Sequence, residues 1–292
     1  MYNPFFFNQQ GKVMEIFAIT VFVIADEVLN VLGNDDHPQS IMTNSEIITF
    51  TIISAKYFSG NHKLTNYLCK KLKLFPRLLS PSRLNRRIHQ IPEPYWQAIF
   101  QFLALIFKKT SGEFNFAVDS FPVPSCQKNR IDRRKIFTGK KYFGFAASKK
   151  KYFCGIKVHL VVTCQGKPVE VCLAPGAESD VKVLWKMALD IPSCSYLYAD
   201  GAYNCFDLED VLLDEQIILL AKRGCKAKNR IRSKEKERKI SSKRQIIETV
   251  FSQITSYLPR TMKVRTEKGF IIRVFCSVLA YSMSQVCNIL LT

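Results

Sequence analysis

Apolar positions recur at helical spacing through the first hundred residues, then switch to the alternation of strands. "TNSE" at Thr43–Glu46 is a capping box ahead of the apolar run "IITFTIISAKYF". Asn61 or Thr65 can open a second helix, "NHKLTNYLCKKLKLF". "SPSRLNRRIHQI" begins with Ser80 at the N-cap and Pro81 at the first helical position. In that helix Leu84 and Ile88 mark one face, and Arg83, Arg86 and Arg87 the other. A short basic amphipathic helix after two others fits a helix-turn-helix-like DNA-binding module, and an ordinary solvated face gives the same pattern.

From Phe114 the period falls to two. Phe114, Phe116 and Val118 alternate with Asn115 and Ala117, and the strand is expected to end on Asp119, ahead of Pro122 and Pro124. "YFCGIKVHLVVT" and "KPVEVCLAP" form a hairpin through Cys164-Gln165-Gly166. A helix over "ESDVKVLWKMALD" follows, capped by Ser179 or Asp180. Next come a strand ending on Asp200, a helix over "CFDLEDVLLDEQ", the buried strand "IILLAK" and a helix opening at "KRQIIETVFSQITSYL". Three antiparallel strands followed by crossover units make an α/β, RNase H-like mixed sheet with helices on both faces. The expected organisation is a helical, helix-turn-helix-like region over 1–112, the sheet domain over 113–258, and a C-terminal helical extension over 259–292 packed on the sheet domain.

In that strand order Asp119 and Asp200 converge at one end of the sheet, where open α/β sheets place their sites. Two adjacent carboxylates repel, and a divalent cation relieves the repulsion; an all-oxygen set suits Mg²⁺ or Mn²⁺. Glu248 lies beside the apolar stripe of Ile246, Ile247, Val250, Phe251 and Ile254, in the element where a third ligand is wanted. Arg244, one turn earlier, could simply pair with it. Two metals held there could activate a nucleophile and stabilise the leaving oxygen of a phosphodiester.

Charge supports a polyanionic partner. Lys and Arg number 43 against 24 Asp and Glu, a net +19. One basic stretch, Gln127 to Lys151, includes Arg133 and Arg134; a second runs from Lys222 to Arg244 and reads as solvated. The ten cysteines show no C-x-x-C and no zinc-ligand spacing, so they read as small buried hydrophobes of a reducing cytoplasm. Ile16–Ala25 is too short to span a bilayer, and the apolar C-terminus, carrying Arg273, reads as a packed helix. The expected partner is double-stranded DNA, with no membrane.

Four blocks together resemble the DDE transposases of bacterial insertion sequences, closest to the IS982-like group within the IS4/IS5-like set. They are "VDSFPVPSC", "FGFAASKKKYFCGIKVHLVVT", "YADGAYN" and "IETVFSQITSYLPRTMKVRTEKGFIIRVFCSVLAYSM". The resemblance implies hydrolysis at element ends and strand transfer with Mg²⁺, no covalent protein–DNA intermediate, and a triad of Asp119, Asp200 and Glu248. Arg244 matches the family arginine, whereas Ser241 and Thr255 stand where the wider pattern has Tyr and Lys. Gly155, Lys157 and His159 match a G-x-K-x-H strand; His159 is either a core histidine or a phosphate contact, and Tyr203 either stacks on a base or packs. Arg265 and Lys268 are candidate DNA contacts, and Glu267 competes as third acid. An RNase H-like nuclease without strand transfer and a catalytically silent DNA-binding protein are the alternatives. Joining two DNA ends argues for at least a dimer.

Overall fold

The computed structural model describes residues 4–126, 131, 135–146, 150–223 and 232–291. The chain divides into two units: one comprises Met1–Leu103, Gln253–Arg260 and Lys268–Thr292, the other Ala104–Ser252 and Thr261–Glu267.

The first unit is helical: α1 (Pro4–Val31), α2 (Asn44–Phe58), α3 (His62–Lys71), α4 (Pro81–Gln90), the first part of α5 (Glu93–Ser111), and the C-terminal helix (Glu267–Leu291) from Lys268 onward. The capping box forms as read: the Glu46 amide donates to Thr43 Oγ1 (3.2 Å) and the Thr43 amide to Glu46 Oε2 (2.8 Å). Helix α2 is the core of the unit, with Ile47, Ile48, Phe50, Ile52 and Ile53 fully buried. It stops where Ser59 and Gly60 turn left-handed (φ 47° and 76°). The positive φ of Gly60 strains any other residue there, and a side chain would also crowd Arg273 Nε at 3.1 Å. Asn61 then caps α3 through the Leu64 amide (3.2 Å). Ser80 takes the N-cap position of α4 but makes no side-chain capping bond.

The C-terminal helix joins this helical unit rather than the sheet, contrary to the expected packing. Lys268 Nζ donates to the His89 carbonyl (2.6 Å), Arg273 to the Gly60 carbonyl (3.3 Å), and Lys56 Nζ to Ser284 Oγ (2.8 Å). It is long and apolar enough to cross a membrane, yet 72% of its most apolar window is buried within the fold, as the packed-helix reading requires.

The second unit is built on β1 (Asn115–Pro124), β2 (Phe143–Ala146), β3 (Lys151–Thr163), β4 (Pro168–Pro175), β5 (Ser195–Ala199) and β6 (Ile217–Ala221). The main order is β4-β3-β1-β5-β6, with β2 pairing the outer end of β3. Strand β3 is antiparallel to both neighbours, while β1, β5 and β6 run parallel. This is the expected RNase H-like mixed sheet. Helices α6 (Asp180–Lys186) and α7 (Phe206–Asp214) and the amphipathic α8 (Lys234–Ser256) complete it.

Two further expectations need correction. Strand β1 does not end at Asp119. Its parallel pairing with β5 ends at Val118↔Ala199, but its antiparallel pairing with β3 continues to Pro124↔Gly155. The prolines are tolerated because of which edge they face. Odd-numbered positions bond β3, as in Cys164 N–H to Asn115 O and Ser125 N–H to Cys154 O. Pro122 and Pro124 therefore turn toward the other edge, beyond the end of β5, where no donor is needed. Helix α8 also begins at Lys234, inside the run read as solvated. Ser233 Oγ accepts from the Lys236 amide (3.2 Å), and Glu235 and Glu237 occupy the positive first turn.

Candidate active site

Asp119 and Asp200 occupy the next positions after the register pair Val118↔Ala199. Neighbouring strands run about 4.8 Å apart, so the two carboxylates leave the paired region side by side. Asp119 shares its sheet face with Phe121, whose ring meets Phe251 of α8 at 4.7 Å. Ile247 and Val250 are buried on the same helix, which brings Arg244 and Glu248 to the sheet end. Arg244 forks there: Nη1 donates to Asp119 Oδ2 (2.6 Å) and Nη2 to Glu248 Oε1 (3.0 Å). The simple i, i+4 pair is thus real but incomplete, since the same guanidinium reaches the aspartate across the sheet.

Burial pushes the Asp119 carboxyl up to about 6. The Ser120 amide and Arg244 oppose that shift, while the charges of Asp200 and Asp180 add to it. Asp119 and Asp200 form a hard all-oxygen pair that fits a divalent cation. Among the described residues no three acidic, His or Cys side chains stand close enough to hold one metal ion together; the Glu248 oxygen is drawn instead onto Arg244. Glu267, the competing acid, accepts the Phe137 amide (2.9 Å). It makes no bond to Arg244 or Asp119.

Lys157 and His159 share a face, as expected, but it is the face opposite Asp119: Ser120 pairs with His159, and Asp119 with Leu160. His159 is fully buried, so its reading as a phosphate contact gives way to the core histidine. Its Nδ1 lies 3.2 Å from the Tyr203 hydroxyl, and Tyr203 is itself buried and so cannot stack on a base. Lys157 Nζ is committed to Asp180 Oδ1 (3.0 Å) and the Glu178 carbonyl (3.1 Å), which argues against a phosphate contact. Asp180, read only as a possible cap, is in fact the anion beneath the sheet, while Ser179 caps α6. A lysine and a histidine on one buried strand face need a compensating acid, and that requirement was the sequence signal for Asp180.

The other expected DNA contacts divide. Arg133 and Arg134 lie outside the described residues. Arg265 is exposed, in the sheet-containing unit. In the helical unit Arg83 and Arg86 are exposed, whereas Arg87 is tied to Asp36 (3.6 Å) and Asn44 (3.2 Å). All three line an open cavity of about 360 Å³ with Gln39, Ser40 and Gln90. The spacing of the first helices bears on the helix-turn-helix-like reading. Residues 59–61 join α2 to α3, whereas α3 and α4 are separated by residues 72–80, longer than that motif's turn of about 3–4 residues.

The family described as "Transposase DDE domain" matches residues 109–264. No curated protein matches the chain. Among solved structures, the chain is similar to a piggyBac transposase synaptic complex with hairpin DNA, seen by cryo-EM, at 10% identity and a TM-score of 0.44. The similarity covers 93% of this chain and 64% of that one.

Proposed function

Because the chain belongs to the DDE-domain transposases, a family that works with divalent metal ions, we propose that it is the transposase of a bacterial insertion sequence of the IS982-like kind. It would hydrolyse phosphodiester bonds at the element's ends and transfer the freed 3′-hydroxyl into target DNA. The observation that carries this reading is the placement of Asp119 and Asp200 side by side where the parallel pairing of β1 with β5 stops, with Glu248 tied to the same place through Arg244.

Asp119, Asp200 and Glu248 would hold two Mg²⁺ or Mn²⁺ ions, with Glu248 turning from Arg244 toward them. When bound, the ions supply Lewis-acid activation of the attacking oxygen and stabilisation of the leaving one. Helix α8 supplies the third carboxylate and, through Arg244, the cation balancing the site without metal. The partner is double-stranded DNA: terminal inverted repeats and target. Arg83 and Arg86 on α4, with Arg265 in the other unit, are exposed and can meet phosphates, which fits the net charge of +19. Two ends joined in one reaction call for at least two copies of the chain.

End-cleavage and strand-transfer assays on short duplexes test the proposal. Asp119→Asn should lower cleavage on the order of 10³–10⁴-fold while DNA binding persists. Cutting without joined product would identify a nuclease, and binding with no cutting by the wild type would leave only a DNA-binding protein. Cleavage that survives Asp119→Asn removes this residue from the site.

A further inference from the structure

A polar cluster lies under the sheet, on the face away from Asp119. Asp180 Oδ1 is its hub. It accepts from Ser120 Oγ at 3.2 Å and Lys157 Nζ at 3.0 Å, and lies 3.8 Å from His159 Nε2. The opposite ring nitrogen, Nδ1, meets the Tyr203 hydroxyl at 3.2 Å. His159 and Tyr203 are fully buried, and Nε2 has no hydrogen-bond partner among the described residues.

The protonation pattern follows from burial. His159 is held down to about 4 by desolvation, so its ring is neutral at pH 7, and the Tyr203 phenol is pushed well above its usual value. The tyrosine therefore keeps its proton and donates to Nδ1. That leaves the ring's own proton on Nε2, the nitrogen 3.8 Å from Asp180 Oδ1. The phenol also interacts with the Ser120 side chain.

Each member is attached to a segment that matters for the site. Ser120 is the residue after Asp119 on β1, and its amide donates to Asp119 Oδ1 at 2.8 Å. Tyr203 ends the one-turn 3₁₀ segment Gly201–Tyr203 that Asp200 opens, with the Tyr203 amide donating to the Asp200 carbonyl at 3.0 Å. Lys157 and His159 belong to β3, and Asp180 starts α6. The parallel ladder between β1 and β5 stops at Val118↔Ala199, one residue short of both aspartates. The β1–β5 pairs therefore do not include the two aspartates themselves.

We propose that Tyr203, His159 and Asp180 are positioning residues: the hydrogen bonds Tyr203–His159 and Ser120–Asp180, with the close approach of His159 to Asp180, set the spacing of Asp119 and Asp200 where the ladder no longer does. This rests on the reading of those two aspartates as a metal pair. Four copurified variants test it by calorimetric Mn²⁺ titration without DNA, thermal unfolding, and the Mn²⁺ dependence of end cleavage. Tyr203→Phe, which keeps the ring and removes only the hydroxyl, should weaken Mn²⁺ binding about tenfold, the usual effect of losing an outer partner of a metal ligand. Its melting temperature should stay within a few degrees of wild type, and cleavage should recover at high Mn²⁺. His159→Gln should weaken binding similarly, and the double variant should be no worse than the weaker single, because both act through one link.

Unchanged Mn²⁺ affinity in Tyr203→Phe overturns the proposal, as does a cleavage loss that saturating Mn²⁺ does not restore. The fourth variant, Asp119→Asn, separates the two readings. If wild type binds Mn²⁺ and Asp119→Asn does not, the metal pair stands and Tyr203→Phe judges the brace. If wild type and Asp119→Asn bind alike, the metal pair fails and the brace falls with it.

Discussion

Arg223 and Arg244 both fork onto carboxylates in the sheet-containing unit, and their surroundings give the two forks different roles. Arg223 Nη2 grips both oxygens of Glu209 at 2.5 and 2.7 Å, with side chains 3% and 8% exposed. Its other arm bonds Asn204, and its guanidinium lies over the Phe206 ring at 4.8 Å. Arg244 instead divides itself between two acids on different elements, with 19% of its own side chain and 59% of that of Glu248 exposed. The first pair is sealed, with the guanidinium serving a single acid. The second is open to solvent and shared, so a competing cation or a phosphate can reach it. Pairing alone does not tell a structural arginine from a functional one; burial and the number of acids it serves do.

The sharpest way to break this comparison is at the sealed pair. Arg223→Met leaves Glu209 buried without its cation and should cost about 3–5 kcal/mol. That corresponds to a melting temperature lower by roughly 10 °C for a unit of this size. Replacing Glu209 with Met as well should recover most of the loss, since the uncompensated charge is then gone. A single variant that melts with wild type would show the pair to be dispensable.

Asp119 comes next. Its folded-state carboxyl titrates at about 6, above the value for an unfolded chain, chiefly because it is buried. The folded protein therefore binds the proton more tightly. Its contribution favours folding below pH 4, is lost as pH rises toward 6, and is an unfavourable charge above that. Asp119→Asn should be more stable than wild type by ~1–3 kcal/mol at pH 7.5, with the difference fading toward pH 4. Urea unfolding across that range checks it, and a difference that does not change with pH refutes it. The same titration with Mn²⁺ present should narrow the gap, because binding stabilises only the wild type.

Arg244→Gln sharpens the contrast from the open side. With the site partly solvated, stability should change by no more than ~1 kcal/mol. Mn²⁺ affinity without DNA should instead rise severalfold, because the guanidinium no longer competes for Asp119 and Glu248. Affinity equal to wild type would mean that the arginine and the metal occupy different places.

The sequence shows the site more readily than what holds it together. The helices and strands follow from period, caps and turn residues, and Asp119, Asp200 and Glu248 stand out because each interrupts an apolar pattern. The brace does not. Ser120 and Asp180 look like a strand polar residue and a helix start, and their roles appear only when β1, β3 and α6 are folded together. Arg223 sits in a basic run, where nothing local separates a buried cation from its solvated neighbours. The extent of β1 was misread for a similar reason: whether a proline is tolerated depends on which edge of the strand has a neighbour. The C-terminal helix has an apolar pattern that says it is buried but not against what.

The smallest effect decides between two glutamates. Glu248 and Glu267 were both candidates for the third acid on residue type alone. Glu248 shares a guanidinium with Asp119, whereas Glu267 accepts the Phe137 amide, a bond that a glutamine oxygen can also make. Glu267→Gln should therefore change stability by less than ~0.5 kcal/mol, the range for exposed substitutions, and leave cleavage at the wild-type rate. Glu248→Gln should bring cleavage down to the level of Asp119→Asn with no greater change in stability. The two variants differ by one atom each at exposed positions, so a general loss of fold cannot mimic the contrast. If Glu267→Gln were the inactive one, the third acid would lie at the start of the C-terminal helix, and the fork on Arg244 would be no more than a solvent-exposed ion pair.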